Sequence, residues 1–398
     1  MSELAINGGI PVRKEKIYYG KQSIGEDDIA AVVETLKSDL ITCGPRVKQM
    51  ETSLCDYTGA SYAVAVSNGT AALHLACIAA GIKQGDEVIT TPLTFAASAN
   101  SVLYCGGTPV FADICESTYN IDPQSILSKI TDKTKAIIAV DFTGQVVAAE
   151  KIRAICDKYN LIFIEDAAHS IGSKYKDLRV GNIADLTTMS FHPVKTVTGG
   201  EGGAILTNNE TYYKKLMLNR THGITSDESQ MLEAPHEGIW CYEQIELGYN
   251  YRITDFQAAL ISSQLKKLDK FITRRKEIVK KYNEAFSGLE GIIIQEQIKE
   301  ADTCSHLYII RLELDKLNCT RVEFFNAMSA ENVQPQVHYV PVYFFPYYKS
   351  LGYKEGLCPI AEEVYKGIMS IPLYPAMTDA DVEDVIAAVK KLITYYKK

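Results

Sequence analysis

The sequence has no long apolar run and no basic stretch. None of its segments approaches the ~20 consecutive apolar residues that a membrane-spanning helix needs, and the N-terminal stretch MSELAINGGIPVRKEK has no long apolar region. We therefore expect a cytoplasmic protein with no membrane anchor. The formal net charge is −8, and Lys and Arg are interleaved with Asp and Glu rather than clustered. This charge pattern disfavours nucleic acid as a partner.

Cysteine occurs ten times, but never in a CxxC pair or in a cluster with histidine at the spacing of metal ligands. This pattern indicates small buried thiols in a reducing compartment rather than a disulfide framework, and it predicts no metal site. A GxGxxG motif is missing after the first predicted strand, which counts against a nicotinamide-dependent oxidoreductase. With 398 residues, of which 46% are hydrophobic and 23% charged, the chain is long enough for two or three globular domains.

The sequence does contain a series of short segments rich in β-branched or aromatic residues, mostly bounded by Gly, Pro, Asn or Asp. They predict seven strands, at 62–68, 86–92, 108–114, 135–144, 161–168, 186–193 and 202–208. Amphipathic segments such as TAALHLACIAAGI lie between most of them and are long enough to cross over a sheet and cover it. This alternation predicts an α/β domain with a mainly parallel sheet.

The pattern changes after residue 265. A long charged helix is followed by the strand-like HLYIIRLEL, a helix near 321–331 and a closing helix from Asp379, which together indicate a smaller α+β domain. The predicted divisions are an N-terminal segment at 1–50 that packs with the small domain and contains a helix near 26–37, a large ligand-binding domain at 51–264, and the small domain at 265–398.

Ligands of a parallel sheet bind beyond the carboxyl ends of its strands. After the first strand, SNGTAALHLA leads into a helix, so free backbone N–H groups near Gly69 and Thr70 would suit a phosphate, although an ordinary helix cap is favoured on these residues alone. Asp166 ends the strand LIFIED, where a buried carboxylate needs a cation or strong donors. The protonated nitrogen of a pyridine ring is one such partner, and a cap or a salt bridge is an equal alternative. His169 could lie beside that ring, but a histidine held by backbone groups is more common.

Lys195 comes 29 residues after Asp166, at the end of the next strand, in the stretch SFHPVKTVTGGEGG. Most lysines are solvated surface charges, but the glycines that follow this one let backbone approach a ligand closely. A desolvated lysine amine attacks carbonyl carbons and forms a Schiff base. A phosphate cradle, a strand-end carboxylate and a strand-end lysine, in this order, are the components of a pyridoxal phosphate site.

The chain resembles the DegT/DnrJ/EryC1/StrS sugar aminotransferases over essentially its whole length. The matching motifs are, in order, EDAAHSIGS, SFHPVK, EGGAILTN, RTHGI and LGYNYRITDFQAAL. The resemblance implies the α/β fold of type I pyridoxal phosphate enzymes, with a mainly parallel seven-stranded sheet in a large domain, a smaller α+β C-terminal domain and a homodimeric assembly. Within the family, LITCGPRV, TTPLTFAASAN, VDFTGQ and VHYVPVY are most similar to the branch that serves pseudaminic acid biosynthesis.

The resemblance also implies residue roles at the cofactor. Lys195 would bind pyridoxal 5'-phosphate covalently and act as the acid and base that moves a proton, and Asp166 would pair with the ring nitrogen. His169 would lie near the ring oxygen, and Phe95 would stack on the ring face. The residues implied for the phosphate are Gly69, Thr70 and Ser190, together with Asn250 of the neighbouring subunit.

Tyr19 and His338 are candidates for binding the sugar nucleotide, with a structural hydrogen bond as an equal alternative. The implied reaction moves an amino group from L-glutamate to carbon 4 of a UDP-4-keto-6-deoxy-N-acetylhexosamine. The sequence departs from the branch in having TVTGGEGG where PITTxEGG is usual and Cys43 where glycine is common.

Alternatives are an aminotransferase for another UDP- or dTDP-linked keto sugar and a non-catalytic regulatory protein that binds the same cofactor. A dehydrating branch of the family has histidine at the position of Lys195, which disfavours that reaction here.

Overall fold

The computed structural model describes residues 3–233 and 238–398. The α-helices in these ranges are α1 (Glu26–Leu36), α2 (Pro45–Thr58), α3 (Gly69–Ala79), α4 (Ala97–Tyr104), α5 (Pro123–Lys129), α6 (Ala149–Tyr159), α7 (Glu210–Arg220), α8 (Asp255–Leu265), α9 (Leu268–Phe286), α10 (Arg321–Ala330), α11 (Pro346–Ser350), α12 (Pro359–Gly367) and α13 (Asp379–Tyr396). Short 3-10 helices lie at Ala5–Asn7, Phe142–Gly144 and Val342–Phe344.

The strands of the described ranges include many of only two residues. They are β1 (Ile17–Tyr18), β2 (Tyr62–Val66), β3 (Glu87–Thr90), β4 (Thr108–Phe111), β5 (Thr134–Val140), β6 (Ile162–Asp166), β7 (Lys174–Tyr175), β8 (Leu178–Arg179), β9 (Leu186–Ser190), β10 (Gly203–Thr207), β11 (Ile224–Thr225), β12 (Glu243–Gln244), β13 (Ile292–Ile294), β14 (Ala301–Asp302), β15 (Tyr308–Leu312), β16 (Val333–Gln334) and β17 (Ile368–Ile371).

The large sheet has seven strands in the order β2-β10-β9-β6-β5-β3-β4. Six of them run in one direction, and β10 is antiparallel to both of its neighbours. All seven coincide with the strands predicted from the sequence, and the mainly parallel seven-stranded sheet is confirmed. The central strands β5 and β6 are buried along almost their whole length, as expected when helices cover both faces of a sheet.

Apolar side chains fix these helices to the sheet. On one face, α3, α4 and α7 pack against alternate residues of β2, β6, β9 and β10. On the other face, α5 and α6 cover β5 and β6, while α2 and α8 cover β2, β9 and β10. The result is a three-layer α/β unit whose strands end at one edge of the sheet.

The C-terminal part has its own core. The antiparallel sheet β13-β15-β17 packs against α9, α10 and α13, so the predicted smaller α+β region is present. The N-terminal segment contacts both parts: β1 pairs with β16, whereas buried Asp28 of α1 accepts hydrogen bonds from Ser263 and Gln264 of α8. Divisions of the chain at residues 51 and 265 remain predictions.

None of the helices in the described ranges is long and apolar enough to cross a membrane.

Candidate active site

A cleft of about 920 Å³ lies beyond the carboxyl ends of the parallel strands. Its lining includes nine of the ten site residues predicted from the sequence. They are Tyr19, Gly69, Thr70, Phe95, Asp166, His169, Ser190, Lys195 and His338. The sheet therefore brings together residues that are more than 300 positions apart, and the volume is at the upper end of the ~300–1,000 Å³ usual for small-molecule sites.

Asp166 is the last residue of β6, and its carboxylate is only 4% exposed. It accepts a hydrogen bond from the Ser98 hydroxyl at 2.6 Å and one from the Ala168 N–H at 3.2 Å. Within the described ranges it forms no ion pair. Burial raises the pKa of Asp166, while the two hydrogen bonds and the charge of Lys195 act in the opposite direction. A cationic ligand group would meet this uncompensated charge.

Lys195 lies half-buried in the loop between β9 and β10, and its own N–H donates to the His192 carbonyl at 2.9 Å. Desolvation lowers the pKa of its amine to about 8, although the Asp166 carboxylate partly counteracts this. About a tenth of the amine is therefore neutral at pH 7, and the neutral amine is the form that attacks a carbonyl carbon.

The phosphate cradle predicted after β2 has the local structure of an anion site. The Asn68 side chain caps α3 by accepting from the Ala71 N–H at 2.8 Å, which leaves the helix N-terminus at Gly69 and Thr70 facing the cleft. A Cβ atom on Gly69 would lie 2.9 Å from the Cβ of Ser190. Glycine is thus required here because the helix start approaches β9 too closely for a side chain.

His169 is buried and neutral. Burial is the largest cause of the strong lowering of its pKa, followed by the charges of Lys195 and His338. Its Nε2 atom lies 3.0 Å from the hydroxyl of Tyr339, and its ring contacts that of His306 at 4.5 Å between centroids. Its Nδ1 atom is buried and has no hydrogen-bond partner among the described residues.

The two predicted sugar-nucleotide residues form the other wall of the cleft. The rings of Tyr19 and His338 lie 5.0 Å apart, and His338 Nδ1 contacts the Ser370 hydroxyl at 2.8 Å. Burial lowers the pKa of His338 to about 3. Phe95 is 64% exposed at the mouth of the cleft, and its ring lies 6.3 Å from that of Tyr339.

Ser98, Tyr339 and His306 were missed in the sequence. Tyr339 directly follows His338 in VHYVPVY, and Ser98 lies in TTPLTFAASAN, two stretches that had been singled out for their resemblance. His306 had no comparable signal, because its contact with His169 depends on how the C-terminal part packs against the large sheet.

Asn250 is the one predicted site residue that does not line the cleft of its own chain. It is exposed, and its backbone pairs with Thr221 in an isolated bridge.

These residues fit pyridoxal 5'-phosphate. Among the described residues, Asp166 has a buried carboxylate without a cationic partner, the start of α3 at Gly69 and Thr70 presents backbone N–H groups to the cleft, and Lys195 supplies an amine of lowered pKa. Among the described residues, no three His, Cys, Asp or Glu side chains are grouped so that they could hold a metal ion.

The sequence pattern of the DegT/DnrJ/EryC1/StrS aminotransferase family matches residues 22–390. The chain belongs to this family. Its members are pyridoxal phosphate enzymes, so this chain is a sugar aminotransferase that depends on that cofactor, as the sequence resemblance implied.

Two relatives within the family have names that describe a role. It is 40% identical to the spore coat polysaccharide biosynthesis protein SpsC of Bacillus subtilis, covering 96% of this chain and 98% of that protein. It is 38% identical to UDP-4-amino-4,6-dideoxy-N-acetyl-beta-L-altrosamine transaminase of Campylobacter jejuni, covering 96% and 99%.

Solved structures with the same fold include PseC of Helicobacter pylori, an aminotransferase involved in the biosynthesis of pseudoaminic acid. It is 30% identical with a TM-score of 0.88, covering 96% of this chain and 100% of PseC. The putative sugar aminotransferase Spr1654 of Streptococcus pneumoniae has been solved in a PLP form, also 30% identical with a TM-score of 0.88 over 96% of this chain and 99% of Spr1654.

We expect the capture of pyridoxal phosphate by the cofactor-free protein to accelerate with rising pH and to level off above about 8. The neutral amine is the reactive form, and burial lowers the pKa of Lys195 to about 8. Asp166→Asn removes the charge that raises this pKa, so the inflection in the capture rate of this variant should move to lower pH. Stopped-flow absorbance over a pH series measures the capture rate of the wild type and of the variant.

Glu201→Gln is the matched control, because Glu201 also lines the cleft but does not perturb the pKa of Lys195. Its inflection should equal that of the wild type. An inflection near the usual lysine value of 10.5 would contradict the desolvated environment of the amine.

Proposed function

We propose that this aminotransferase transfers an amino group from L-glutamate to carbon 4 of a UDP-4-keto-6-deoxy-N-acetylhexosamine, the reaction of pseudaminic acid biosynthesis. The observation that carries the chemistry is the cleft in which Lys195, Asp166 and the Gly69 cradle meet at one sheet edge. The substrate assignment is supported by the 38% identity to the Campylobacter jejuni transaminase and the likeness to PseC.

A second candidate is an aminotransferase for another nucleotide-linked keto sugar. The 40% identity to SpsC favours it, because the name of that protein assigns it to spore coat polysaccharide biosynthesis and not to pseudaminic acid biosynthesis. Both candidates use the same chemistry at Lys195 and differ in the sugar that contacts the wall formed by Tyr19 and His338. The cytoplasmic location also remains a prediction.

When bound, pyridoxal phosphate supplies a ring that withdraws the electron pair of the donor's Cα–H bond. Asp166 would hold the proton on the ring nitrogen, because the buried negative charge of Asp166 favours it. Gly69, Thr70 and Ser190 would hold the phosphate, and Phe95 would cover one face of the ring. Lys195 Nζ would carry a proton from the α-carbon of glutamate to the cofactor and, in the second half of the cycle, from the cofactor to carbon 4 of the sugar.

The neutral imidazoles of His169, His306 and His338 leave the substrate end of the cleft without positive charge, since burial lowers the pKa of each. In the described part of the chain, Lys195 is the one Lys or Arg that lines the cleft. The carboxylates of glutamate and the diphosphate of a nucleotide sugar therefore need cations from outside this lining. A second subunit is one source.

A homodimer with shared sites is the assembly that we propose. Asn250 is exposed and outside its own cleft. In α8, the helix that follows Asn250, Phe256 and Leu260 are partly exposed. In α1, the exposed apolar residues Ile29, Val33 and Leu36 follow helical spacing and form one stripe. An isologous interface would cover these apolar residues and would place Asn250 at the cleft of the other subunit.

The substrate proposal is tested by incubating the purified protein with L-glutamate and a panel of UDP- and dTDP-linked 4-keto sugars. We expect amination of the UDP-linked N-acetylated 4-keto sugar, with mass spectrometry detecting the product and NMR giving its configuration at carbon 4. Lys195→Ala should remain loaded with cofactor but form no product, whereas the exposed-lysine control Lys176→Ala should react like the wild type. Product from dTDP sugars alone would point to the second candidate, and wild-type turnover by Lys195→Ala would refute the central role of the amine.

Shared sites predict complementation between two defective protomers. Asn250→Ala should weaken cofactor retention by roughly 1.5–3 kcal/mol, the scale of a hydrogen bond to a charged group, and Lys195→Ala should be inactive. If each site takes these residues from different chains, a mixed dimer has one intact site and one with both defects. Isolated mixed dimers should then have about half of wild-type activity at limiting cofactor, because one of their two sites is intact.

Two differently tagged protomers allow the mixed dimers to be isolated before the assay. Mixing Lys195→Ala with itself in both tagged forms is the control for tag exchange and should stay inactive. Mixed dimers without any recovery would mean that Asn250 serves its own chain or no site.

A further inference from the structure

Two buried carboxyl groups lie behind Asp166, on the other side of its strand. Glu165 precedes Asp166 on β6, so its side chain points to the opposite face of the sheet. Asp141 directly follows β5, whose Val140 pairs with Asp166 and whose Ala139 pairs with Glu165. Asp141 is therefore on the same face as Glu165, and both side chains are fully buried.

Hydrogen bonds satisfy three of the four carboxyl oxygens. Asp141 accepts from the Val147 N–H at 3.0 Å and from the Ser170 hydroxyl at 2.6 Å. Glu165 Oε2 accepts from the Thr187 hydroxyl at 2.9 Å. Among the described residues, Glu165 Oε1 is buried without a hydrogen-bond partner, and Asp141 lies diagonally across from Glu165, two residues beyond its β5 partner Ala139.

No cation compensates the pair. In residues 3–233 and 238–398, neither Asp141 nor Glu165 forms an ion pair with Lys, Arg or His. The titratable groups that face them are each other, the carboxyl of Asp166 and the buried thiol of Cys304. Two adjacent carboxylates removed from water and lacking a cation cannot both stay ionised at ordinary cost.

We propose that Asp141 and Glu165 share one proton at neutral pH, so that the pair carries a single negative charge and positions the strand end that presents Asp166. A proton between the two groups gives Glu165 Oε1 the hydrogen bond that it otherwise lacks. The backbone completes the connection, because the Asp141 N–H donates to the Asp166 carbonyl at 3.1 Å.

The electrostatics agree with this geometry. Burial raises the pKa of Glu165 to about 7, and burial together with the charge of Glu165 raises the pKa of Asp141 well above its usual value. The titration belongs to the pair rather than to either residue.

The shared proton matters for Asp166, because both carboxyls repel its charge. With one proton in the pair, Asp166 has one negative neighbour instead of two and is more easily kept ionised. This consequence rests on the proposed pairing of Asp166 with the ring nitrogen, whereas the shared proton itself does not. Asp141 and Glu165 are thus positioning residues, remote from the reacting atoms.

Infrared spectroscopy of the purified protein near pH 8, above the pKa of about 7 of Glu165, tests the proposal directly, through the C=O stretch of a protonated carboxylic acid. We expect one such band in the wild type, its loss in both Glu165→Gln and Asp141→Asn, and its retention in Asp166→Asn. Glu165→Gln has the same shape as the protonated acid and can donate an amide N–H to Asp141. Absence of the band in the wild type, or its persistence in both pair variants, would overturn the proposal.

Urea unfolding of the cofactor-free protein gives an independent measurement. A pKa raised from 4.5 to about 7 in the folded state gives stability that is present at low pH and lost as pH rises through this window. The double variant Asp141→Asn/Glu165→Gln has no titrating carboxyl at the pair, so the ratio of the wild-type to the double-variant unfolding constant should increase by about tenfold per pH unit between pH 5.5 and 7 for each proton that the folded pair holds. The exposed control Glu284→Gln should show no such change.

A ratio for the double variant that does not change between pH 5.5 and 7 would mean that the folded pair holds no proton in this window and would overturn the shared proton. Neither measurement involves turnover or substrate, so failure of the proposed sugar specificity would leave both unchanged.

Discussion

The burial of a carboxylate at the end of β6 is the constraint on which the cleft depends. Asp166 has lost its water and gains only a hydroxyl and one backbone N–H in return, so its charge must be met by something cationic. The same charge opposes the desolvation of Lys195 across the cleft. Each group therefore influences the protonation of the other. A ligand that carries both a cationic and an anionic group would compensate the charges of Asp166 and Lys195.

The order of the parallel strands brings Asp166 close to other polar residues at the same edge of the sheet. β6 and β9 are neighbours in the sheet although 20 residues separate Asp166 from the start of β9, and β2 comes to the same edge from the other side of β10. The N-terminus of α3, the Asp166 carboxylate and Lys195 therefore lie together at the edge where these strands end. This placement explains why residue types at strand ends were informative before any contact was known.

Features that depend on local sequence could be predicted, whereas features that depend on long-range packing could not. The strands and Lys195, Asp166 and Gly69 were predictable because each depends on local pattern: apolar runs, and a polar residue just after one. Ser98 and Tyr339 were not, since their partners lie 68 and 170 positions away and only packing brings them together. Glu165 was hidden for another reason. A carboxylate one residue from Asp166 looks like part of the same motif, and the alternation of side chains along a strand separates the two.

The loop that contains Lys195 is closed at both ends by the sheet. It leaves β9 at Ser190 and enters β10 at Gly203, and these two residues pair with each other. The Phe191 N–H donates to the Gly202 carbonyl at 2.8 Å, and the Gly199 N–H donates back to the Phe191 carbonyl at 2.9 Å. The base of the loop is therefore fixed to the two core strands. The amide hydrogens of Phe191 and Gly199 should exchange with solvent slowly, because their exchange requires β9 and β10 to separate at this end.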